Sequence, residues 1–231
     1  MKSGGGVAAI VAAGGTGSRL GRKTHKPFVR LAGRPLLCWT LRALEASRLV
    51  ERIVLVVHPD DIRPAGRMVR RFRLRKVGRI VAGGSSRSDS VWRGIQALPA
   101  GTEWVLVHDG ARPLVSPALV EETLKAAREH GAAIAAVPVV PTIKQAEGGW
   151  VTRTLDRTHL WAVQTPQAFR LGLLRKAHER GRARKIRPTD DAALVEAMGR
   201  PVRIVLGSER NLKVTTPEEL LIAGALLRRN R

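Results

Sequence analysis

The chain has 231 residues, 44% of them hydrophobic, which is enough for one large α/β domain or two small ones. Its 41 lysines and arginines against 19 aspartates and glutamates give a net charge of +22, a balance that favours anionic ligands. No apolar run approaches the roughly 20 residues of a membrane span, the start lacks a signal-peptide pattern, and Cys38 is the only cysteine. We therefore expect a cytoplasmic protein with no disulfide and no membrane partner.

The basic residues are spread along the chain, and the two densest clusters lie at residues 67–79 and 175–187. Neither cluster is rich in aromatic residues, since the whole sequence has no tyrosine and three phenylalanines. Aromatic platforms for stacked bases are therefore scarce. We expect charged helix faces and a small anionic substrate, and no nucleic-acid partner.

The first predicted strand, residues 7–13, opens the most informative stretch of the chain. It is an apolar run bounded by glycine, which is typical of a buried parallel strand. Gly14, Gly15 and Gly17 follow at once, and Arg19 and Lys26 come soon after. Glycines after a strand let backbone amides close on an anion, and the cations add positive charge. The stretch predicts a phosphate-binding loop; a glycine-rich turn with solvated basic residues is the alternative.

This loop matches neither of the two common phosphate-binding patterns. Arg22 stands where a Walker A loop has its second glycine. Leu20 stands where a dinucleotide-binding fingerprint has its third glycine. What remains is an alanine pair, the three glycines and an arginine, with Lys26-Pro27 behind them.

Strands and helices alternate along most of the chain. The predicted strands after the first are residues 52–57, 79–82, 104–108, 132–137 and 202–206. The predicted helices are residues 35–47, 59–73, 88–98, 116–130 and 170–180, with one more after residues 189–191. Ser88 is the predicted cap of the helix 88–98, and a capping box at Thr216 and Glu219 predicts the start of a last helix. This alternation predicts an α/β fold with a mostly parallel sheet and helices on both faces. Right-handed crossovers then bring loops 14–27, 83–90 and 109–113 to one sheet edge, where ligands bind.

Residues 139–161 break the alternation. Two short β-type segments, 142–145 and 151–155, flank Gly148-Gly149, which predicts a β-hairpin. Such a hairpin has little core of its own, so we expect it to be an arm that packs against a second copy of the chain. We predict a single domain, residues 1–231, with the arm 139–161 inserted.

Several single residues are candidates for chemistry. Asp109 ends a predicted strand at the ligand edge, a common place to hold a divalent metal against phosphates, and an Asx turn is the alternative. Residues 83–90 offer amides and hydroxyls at a helix N-terminus, where capping alone is the alternative. Lys213 precedes a capped helix, where lysines are usually solvated. We expect His25 and His108 to be structural rather than catalytic.

These motifs occur in one order and at consistent spacing. AAGGTGSRLG, GGSSRSDSV, VLVHDGARP, PTIK, WAVQTPQAF, PTDDAALVE and NLKVTTPEEL together resemble the 2-C-methyl-D-erythritol 4-phosphate cytidylyltransferase family over about residues 7–228. The resemblance implies a Rossmann-like nucleotidyltransferase fold and transfer of a cytidylyl group from CTP to that polyol phosphate. It also implies magnesium (Mg²⁺) as the cofactor and a homodimer joined through the arm.

The resemblance further implies roles for single residues. Arg19, Lys26 and Lys213 match the residues that bind the triphosphate and neutralise the transition state. Asp109 matches an aspartate near the metal and the substrate. The residues that match the cytidine and ribose pocket are Ala12, Ala13, Gly14, Gly15, Gly17, Gly84, Ser90 and Gly110. Thr142 and Arg157 of the arm, together with Thr165, match the substrate-binding residues, and Thr189 and Asp190 match a motif that we expect to cap a helix.

The chain departs from the family pattern at two places. His25-Lys26-Pro27-Phe28 stands where proline, lysine and glutamine usually precede an aromatic residue. Pro27 removes a backbone donor and biases Lys26 toward an extended conformation. Gly110 stands where alanine is frequent, a change that we expect to leave room for the base.

Two other functions stay open. A ribitol 5-phosphate cytidylyltransferase would share the loops, but Thr142 and Arg157 together favour methylerythritol phosphate. A basic nucleic-acid-binding protein on a transferase scaffold would have lost loop or lysine residues, and none of them is lost.

Overall fold

A computed structural model describes residues 6–15 and 25–229, so Gly17 and Arg19 of the glycine-rich loop lie outside the described residues. The strands are β1 (Gly6–Ala13), β2 (Arg30–Leu31), β3 (Arg34–Pro35), β4 (Arg52–Val57), β5 (Val77–Ala82), β6 (Thr102–Asp109), β7 (Ala132–Pro138), β8 (Lys144–Glu147), β9 (Trp150–Thr154), β10 (Trp161–Arg170) and β11 (Arg203–Leu206). The helices are α1 (Leu36–Ala46), α2 (Ile62–Arg71), α3 (Arg87–Gln96), α4 (Pro117–His130), α5 (Leu171–Ala183), α6 (Asp191–Glu196) and α7 (Pro217–Arg229).

A seven-stranded sheet in the order β11-β7-β10-β6-β1-β4-β5 organises these elements. β1 pairs in parallel with β4 and β6, β4 with β5, and β7 with β11, whereas β10 runs antiparallel to both of its neighbours. The predicted α/β fold with a mostly parallel sheet is therefore confirmed. The carboxyl ends of all the parallel strands meet at one edge of the sheet.

Within the seven-stranded sheet, β10 is the strand that the sequence pattern does not predict. It contains Pro166, which has no backbone N–H for a sheet ladder, so proline within an apolar run argues against a central strand. The structure accommodates the proline with an irregularity, because the register between β10 and β7 shifts between Val163 and Gln167. The pairing resumes beyond this point, and β10 lies between β6 and β7.

Helices cover both faces of the sheet, as predicted. Side chains alternate along β1, so Ala9 and Val11 belong to one buried cluster and Ile10 belongs to the other. The first cluster is closed by α1, α2 and α4, and the second by α3, α5 and α6. A third, smaller cluster packs α7 against residues before and within α1, including Val29 and Leu36.

The helix ends largely follow the sequence signals. Ser116 caps α4 by accepting the Leu119 amide at 3.1 Å. The final capping box is present, since Glu219 Oε2 accepts the Thr216 amide at 2.9 Å. The predicted cap of α3 is wrong: Ser86, not Ser88, precedes the helix and accepts the Asp89 amide at 3.0 Å.

The predicted arm is present as an exposed hairpin. β8 and β9 pair antiparallel and form a separate two-stranded sheet. Gly148 and Gly149 both have positive φ, which two central residues of such a tight turn require. Trp150 is 81% exposed and Val151 60% exposed, so the arm has no core within one chain. No helix in the described parts of the chain is both long and apolar enough to cross a membrane.

The packing of α3 against the sheet allows a direct test. A Cβ atom at Gly94 of α3 would lie 2.6 Å from Cγ2 of Ile10. Gly94→Ala should therefore lower the free energy of unfolding by about 1–3 kcal/mol, the usual cost of overpacking. Gly66→Ala in α2 is the control, because a Cβ there meets nothing nearer than 3.6 Å; it should raise that free energy by up to about 1 kcal/mol. Urea unfolding measures both, and a Gly94→Ala midpoint at or above that of Gly66→Ala would contradict the packing.

Candidate active site

A pocket of about 400 Å³ lies at the carboxyl ends of β1 and β6. The predicted site residues that line it are Ala12, Ala13, Gly14, Gly15, Lys26, Gly84, Ser90, Asp109, Gly110 and Lys213. Residues from loops 14–27, 83–90 and 109–113 thus meet in one pocket, as the topology predicts. Lys213 comes from a loop more than a hundred residues further along the chain, so the fold and not the local sequence brings it here.

The loop 83–90 is ordered by one hydroxyl group. Ser90 Oγ accepts the Gly84 amide at 3.1 Å and donates to the Ser86 carbonyl at 2.9 Å. Both functions of the hydroxyl are therefore used within the loop. Ser90 shapes the pocket wall by fixing Gly84 next to the first turn of α3.

Lys26 begins a short 3-10 turn, Lys26–Phe28, in which Pro27 is buried. The missing amide of Pro27 costs no hydrogen bond, since the first positions of a helical turn have no partner within it. The turn closes when the Phe28 amide donates to the His25 carbonyl at 3.0 Å. His25 Nδ1 lies 2.8 Å from Asp61 Oδ1, so its side chain anchors the residue that precedes Lys26.

The space beside Gly110 is not open to a base. A Cβ atom at Gly110 would lie 2.8 Å from Cβ of Ala13 and 3.1 Å from a methyl group of Leu37. The expectation that glycine here leaves room for the base is therefore wrong, because the pocket floor itself fills that space. The glycine lets β6 and β1 end close together, with the Gly110 amide donating to the Ala12 carbonyl at 2.9 Å.

Asp109 is the centre of charge in this pocket. Its side chain is only 9% exposed. Lys213 Nζ lies 2.9 Å from Oδ2, Arg87 Nε lies 3.2 Å from Oδ1, and Arg112 Nε lies 3.7 Å from Oδ2. Burial alone would raise the pKa of Asp109, but the charges of Arg87 and then Lys213 hold it well below its usual range. The carboxylate is therefore ionised at neutral pH.

The backbone of Asp109 is also held by a hydrogen bond to the neighbouring strand β10. Its amide donates to Thr165 Oγ1 at 3.0 Å, and Thr165 is buried in β10. Thr165 supports Asp109 and does not itself line the pocket within this chain. The neighbouring His108 is fully buried, and burial lowers its pKa to about 4, so it is neutral at pH 7; it does not line the pocket.

Sequence reasoning missed three residues near the site. Arg87 lines the pocket and bonds Asp109, and its Nη1 donates to Asp191 Oδ2 at 2.7 Å. Asp191 Oδ1 in turn lies 3.0 Å from His178 Nε2. Arg87 and Asp191 are 104 positions apart, so no local pattern signals their pairing. The expectation for Asp190 is met in the geometry, since it caps α6 by accepting the Ala193 amide at 2.9 Å.

The two arm residues do not reach this pocket within one chain. Thr142 and Arg157 are both exposed, and neither lines the pocket. Arg157 Nη1 donates instead to the carbonyl of Val140 at the base of the arm.

The carboxylates available to a metal are few. Among the described residues, Asp109 is the one carboxylate that lines the pocket, and no three His, Cys, Asp or Glu side chains cluster to hold a metal. Magnesium in nucleotide sites is usually bound through one or two carboxylates together with substrate phosphates. One carboxylate among three cations therefore fits a magnesium ion that phosphates help to hold, and does not fit a permanently bound metal.

The support beneath Asp109 yields a stability test. Thr165→Val keeps the shape but removes the acceptor of a buried amide, so the free energy of unfolding should fall by about 1–3 kcal/mol. Thr123→Val in α4 is the matched control. The buried hydroxyl of Thr123 only donates, to the Leu119 carbonyl at 2.7 Å, so its loss leaves no hydrogen-bond donor without an acceptor. Chemical unfolding of both variants measures the difference. Equal losses would show that the Asp109 amide does not depend on Thr165.

Comparison with known proteins agrees with the fold and with the family that the sequence motifs resemble. The sequence model of the family 2-C-methyl-D-erythritol 4-phosphate cytidylyltransferase matches residues 7–229. A protein of that name from Pelotomaculum thermopropionicum is 50% identical over 224 residues, which cover 96% of this chain and 94% of the relative. One from Geobacillus kaustophilus is 49% identical, covering 95% of this chain and 96% of the relative.

Solved structures give the same result. The crystal structure of 2-C-methyl-D-erythritol 4-phosphate cytidylyltransferase from Thermus thermophilus superposes with a TM-score of 0.80 at 36% identity, covering 95% of this chain and 98% of that one. The 4-diphosphocytidyl-2C-methyl-D-erythritol synthase from Anaerococcus prevotii gives a TM-score of 0.85 at 31% identity, with 96% of each chain covered. The chain therefore belongs to the 2-C-methyl-D-erythritol 4-phosphate cytidylyltransferase family.

Proposed function

We propose that this chain transfers a cytidylyl group from CTP to 2-C-methyl-D-erythritol 4-phosphate, giving 4-diphosphocytidyl-2-C-methyl-D-erythritol and pyrophosphate. The observation that carries the proposal is the pocket lined by Lys26, Lys213 and Arg87, in which Lys213 and Arg87 both contact one ionised carboxylate, Asp109. A pocket with this excess of cations suits a triphosphate and a phosphate monoester together.

The chemistry needs no activated side chain. The phosphate of the substrate is already an anion, and it attacks the α-phosphorus of CTP in line while pyrophosphate leaves. Catalysis then depends on positioning and on neutralising the charge that gathers on the phosphate oxygens. We assign that neutralisation to Lys26, Lys213 and Arg19.

Lys213 is well placed for this task. Its ammonium group is 2.9 Å from Asp109 and its side chain is 41% exposed to the pocket and solvent. The carboxylate holds the ammonium group within reach of a bound phosphate. Turning toward that phosphate exchanges one anionic partner for another, so the lysine does not have to give up a favourable charge interaction.

The nucleotide is proposed to lie along the glycine-rich edge. Ala12, Ala13, Gly14 and Gly15 line the pocket at the end of β1, and Gly17 belongs to the same loop. Backbone amides here and at Gly84 are suitable donors to the base, the ribose and the phosphates. Ser90 acts through the hydrogen bond that orders Gly84, and Gly110 acts through the close approach of β6 to β1.

Magnesium is the proposed cofactor. Asp109 would hold it through a carboxylate oxygen, with phosphate and water oxygens as the other ligands. When bound, the ion would neutralise negative charge on the phosphates, including the charge that develops on pyrophosphate. Arg87 and Arg112 keep Asp109 ionised and in place, so the same carboxylate can serve the metal when Lys213 turns away.

The second copy of the chain is proposed to complete the site. The arm exposes Trp150 and Val151, and the adjoining edge of the sheet exposes Val163 and Leu206, which flank Ala136 in register. These apolar side chains form a surface that a homodimer would bury. In such a dimer each arm brings Thr142 and Arg157 to the partner pocket, where arginine can bind two oxygens of a phosphate monoester.

We further propose that the chain works as one nucleotidyltransferase domain with the arm 139–161 inserted. The lone cysteine, Cys38, is buried in the core, which suits the reducing cytoplasm. No nucleic-acid partner is proposed, since the site already uses the basic residues nearest the glycine-rich loop for phosphates.

Pyrophosphate release tests the function directly. Purified protein with CTP and magnesium should turn over 2-C-methyl-D-erythritol 4-phosphate at least about 100-fold more efficiently than ribitol 5-phosphate, because the presence of both Thr142 and Arg157 favours the former. Equal or higher efficiency with ribitol 5-phosphate would assign the chain to that alternative. Salt-sensitive duplex binding without turnover of either polyol phosphate would reject the transferase.

Mixed dimers test the shared site. Lys213→Ala and Arg157→Ala should each lower turnover by about two orders of magnitude or more, the scale for removing a preorganised electrostatic contact. In a dimer of one chain of each kind, one pocket carries both lesions and the other carries neither. Equal mixing with subunit exchange should then restore roughly a quarter of wild-type activity.

Arg153→Ala is the control for this experiment, because Arg153 lies on the same arm and bonds only Gln145 across the hairpin. It should be active on its own. A mixture that stays inactive although exchange is confirmed, or a fully active monomer in sedimentation, would rule out a site shared between chains.

A further inference from the structure

A line of ionisable side chains extends from the pocket into the protein. It begins at Asp109, passes through Arg87 at 3.2 Å, continues to Asp191 at 2.7 Å, and ends at His178 at 3.0 Å. Asp191 and His178 are both buried, whereas Arg87 lines the pocket. The line joins β6, the start of α3, the start of α6 and the middle of α5, so it ties four elements to the reacting edge of the sheet.

Arg87 is divided between two carboxylates. Its Nε bonds Asp109 and its Nη1 bonds Asp191, which a planar fork can do without strain. Burial would lower the pKa of Arg87, but Asp191 first and then Asp109 raise it above its ordinary value. The guanidinium is thus permanently charged and is held from both sides.

The proposed chemistry requires a cation that stays beside Asp109 throughout the reaction. Lys213 must turn from Asp109 toward phosphate oxygens, and at that moment the buried carboxylate loses its nearest counter-charge. Arg112 cannot fully replace it, because it lies 3.7 Å away and its Nη1 already donates to the Asn211 carbonyl at 2.7 Å. An uncompensated buried carboxylate is costly and would move or take up a proton. Among the described side chains, Arg87 is the remaining cation that can hold Asp109 in place, whether or not a metal ion also binds the carboxylate.

Asp191 restrains Arg87 from moving toward the bound nucleotide. A cation in a phosphate pocket is itself attracted to the triphosphate, and an arginine that followed the ligand would leave Asp109. Asp191 binds the far side of the guanidinium and prevents this movement. His178 in turn fixes Asp191, and the His178 ring stacks on Trp92 of α3 with centroids 6.1 Å apart.

We propose that Arg87 is a positioning residue, held by Asp191 and His178, that keeps Asp109 in place while Lys213 engages the phosphates. The proposal rests on the proposed cytidylyl transfer. It assigns Arg87 an effect on turnover that acts through Asp109, rather than a direct contact with the nucleotide. A direct phosphate ligand would instead contribute mainly to CTP binding, so kinetics separate the two roles.

The first experiment measures kcat and the KM for CTP and for the polyol phosphate in three variants. Arg87→Gln should lower kcat at least about tenfold, the scale of a displaced catalytic group, with the KM for CTP changed less than about threefold. Asp191→Asn is isosteric and should lower kcat in the same direction. Arg87→Lys keeps the charge without the fork and should recover part of the loss.

The second experiment is a double-mutant cycle. If Asp191 acts through Arg87, then adding Asp191→Asn to Arg87→Gln should cause no further loss of kcat. Arg182→Gln is the matched control, because Arg182 also joins α5 to α3, through Asp89 at 2.7 Å, but does not reach Asp109. This control should keep wild-type kcat.

Three results would overturn the proposal. A raised KM for CTP with unchanged kcat in Arg87→Gln would make Arg87 a nucleotide ligand. Wild-type kcat in Asp191→Asn, or losses that multiply in the double variant, would show that Asp191 does not act through Arg87.

Thermal melting and CTP titration check that each variant is folded; if Asp191→Asn does not fold, His178→Gln replaces it in the cycle. Wild-type protein that turns over no polyol phosphate would reject the proposed function itself.

Discussion

A buried carboxylate surrounded by cations is the interaction on which this site depends. Asp109 ends β6, the central strand of the sheet. Lys213 and Arg87 converge on it from two other segments, and Arg112 from the turn that follows β6. The Asp109 side chain is only 9% exposed, so its charge would be costly without these partners. The pocket is therefore cationic before any ligand enters, which is the preorganisation that phosphoryl chemistry needs.

Hydrogen bonds from the neighbouring strands hold the backbone around this carboxylate in position. β10 contributes Thr165, which accepts the Asp109 amide, and β1 contributes Ala12, which accepts the Gly110 amide. The backbone at residues 109–110 is thus bonded to the strands on either side. The net charge of +22 adds a long-range field that draws anionic substrates toward the protein and weakens as salt is added.

Much of this arrangement could be predicted from the sequence, and the failures have physical causes. Buried parallel strands read as continuous apolar runs, so the run at residues 52–57 coincides with the whole of β4. The topology rule then gathers the three loops at one edge, where the pocket lies. β10 escapes prediction because Pro166 interrupts its pattern. The pairing of Arg87 with Asp191 is not predicted, because the two residues are far apart in sequence and each alone resembles a residue at the start of a helix.

The arm shows a different limit of sequence reasoning. The Gly148-Gly149 turn predicts the hairpin, yet Thr142 and Arg157 lie outside the pocket of their own chain. Their proposed role depends on a partner whose position no local pattern can specify. The exposed Trp150 and Val151 indicate that the arm needs a second surface.

If the Asp109 carboxylate organises the cations of the pocket for catalysis, then Asp109→Asn should abolish turnover, because this change keeps the shape of the side chain and removes its charge. With CTP, magnesium and 2-C-methyl-D-erythritol 4-phosphate, we expect a kcat at least about 100-fold below wild type, while the folded variant still binds CTP in the absence of metal. A kcat within about threefold of wild type would show that catalysis does not need this charge, and would leave Asp109 as a residue that only shapes the turn after β6.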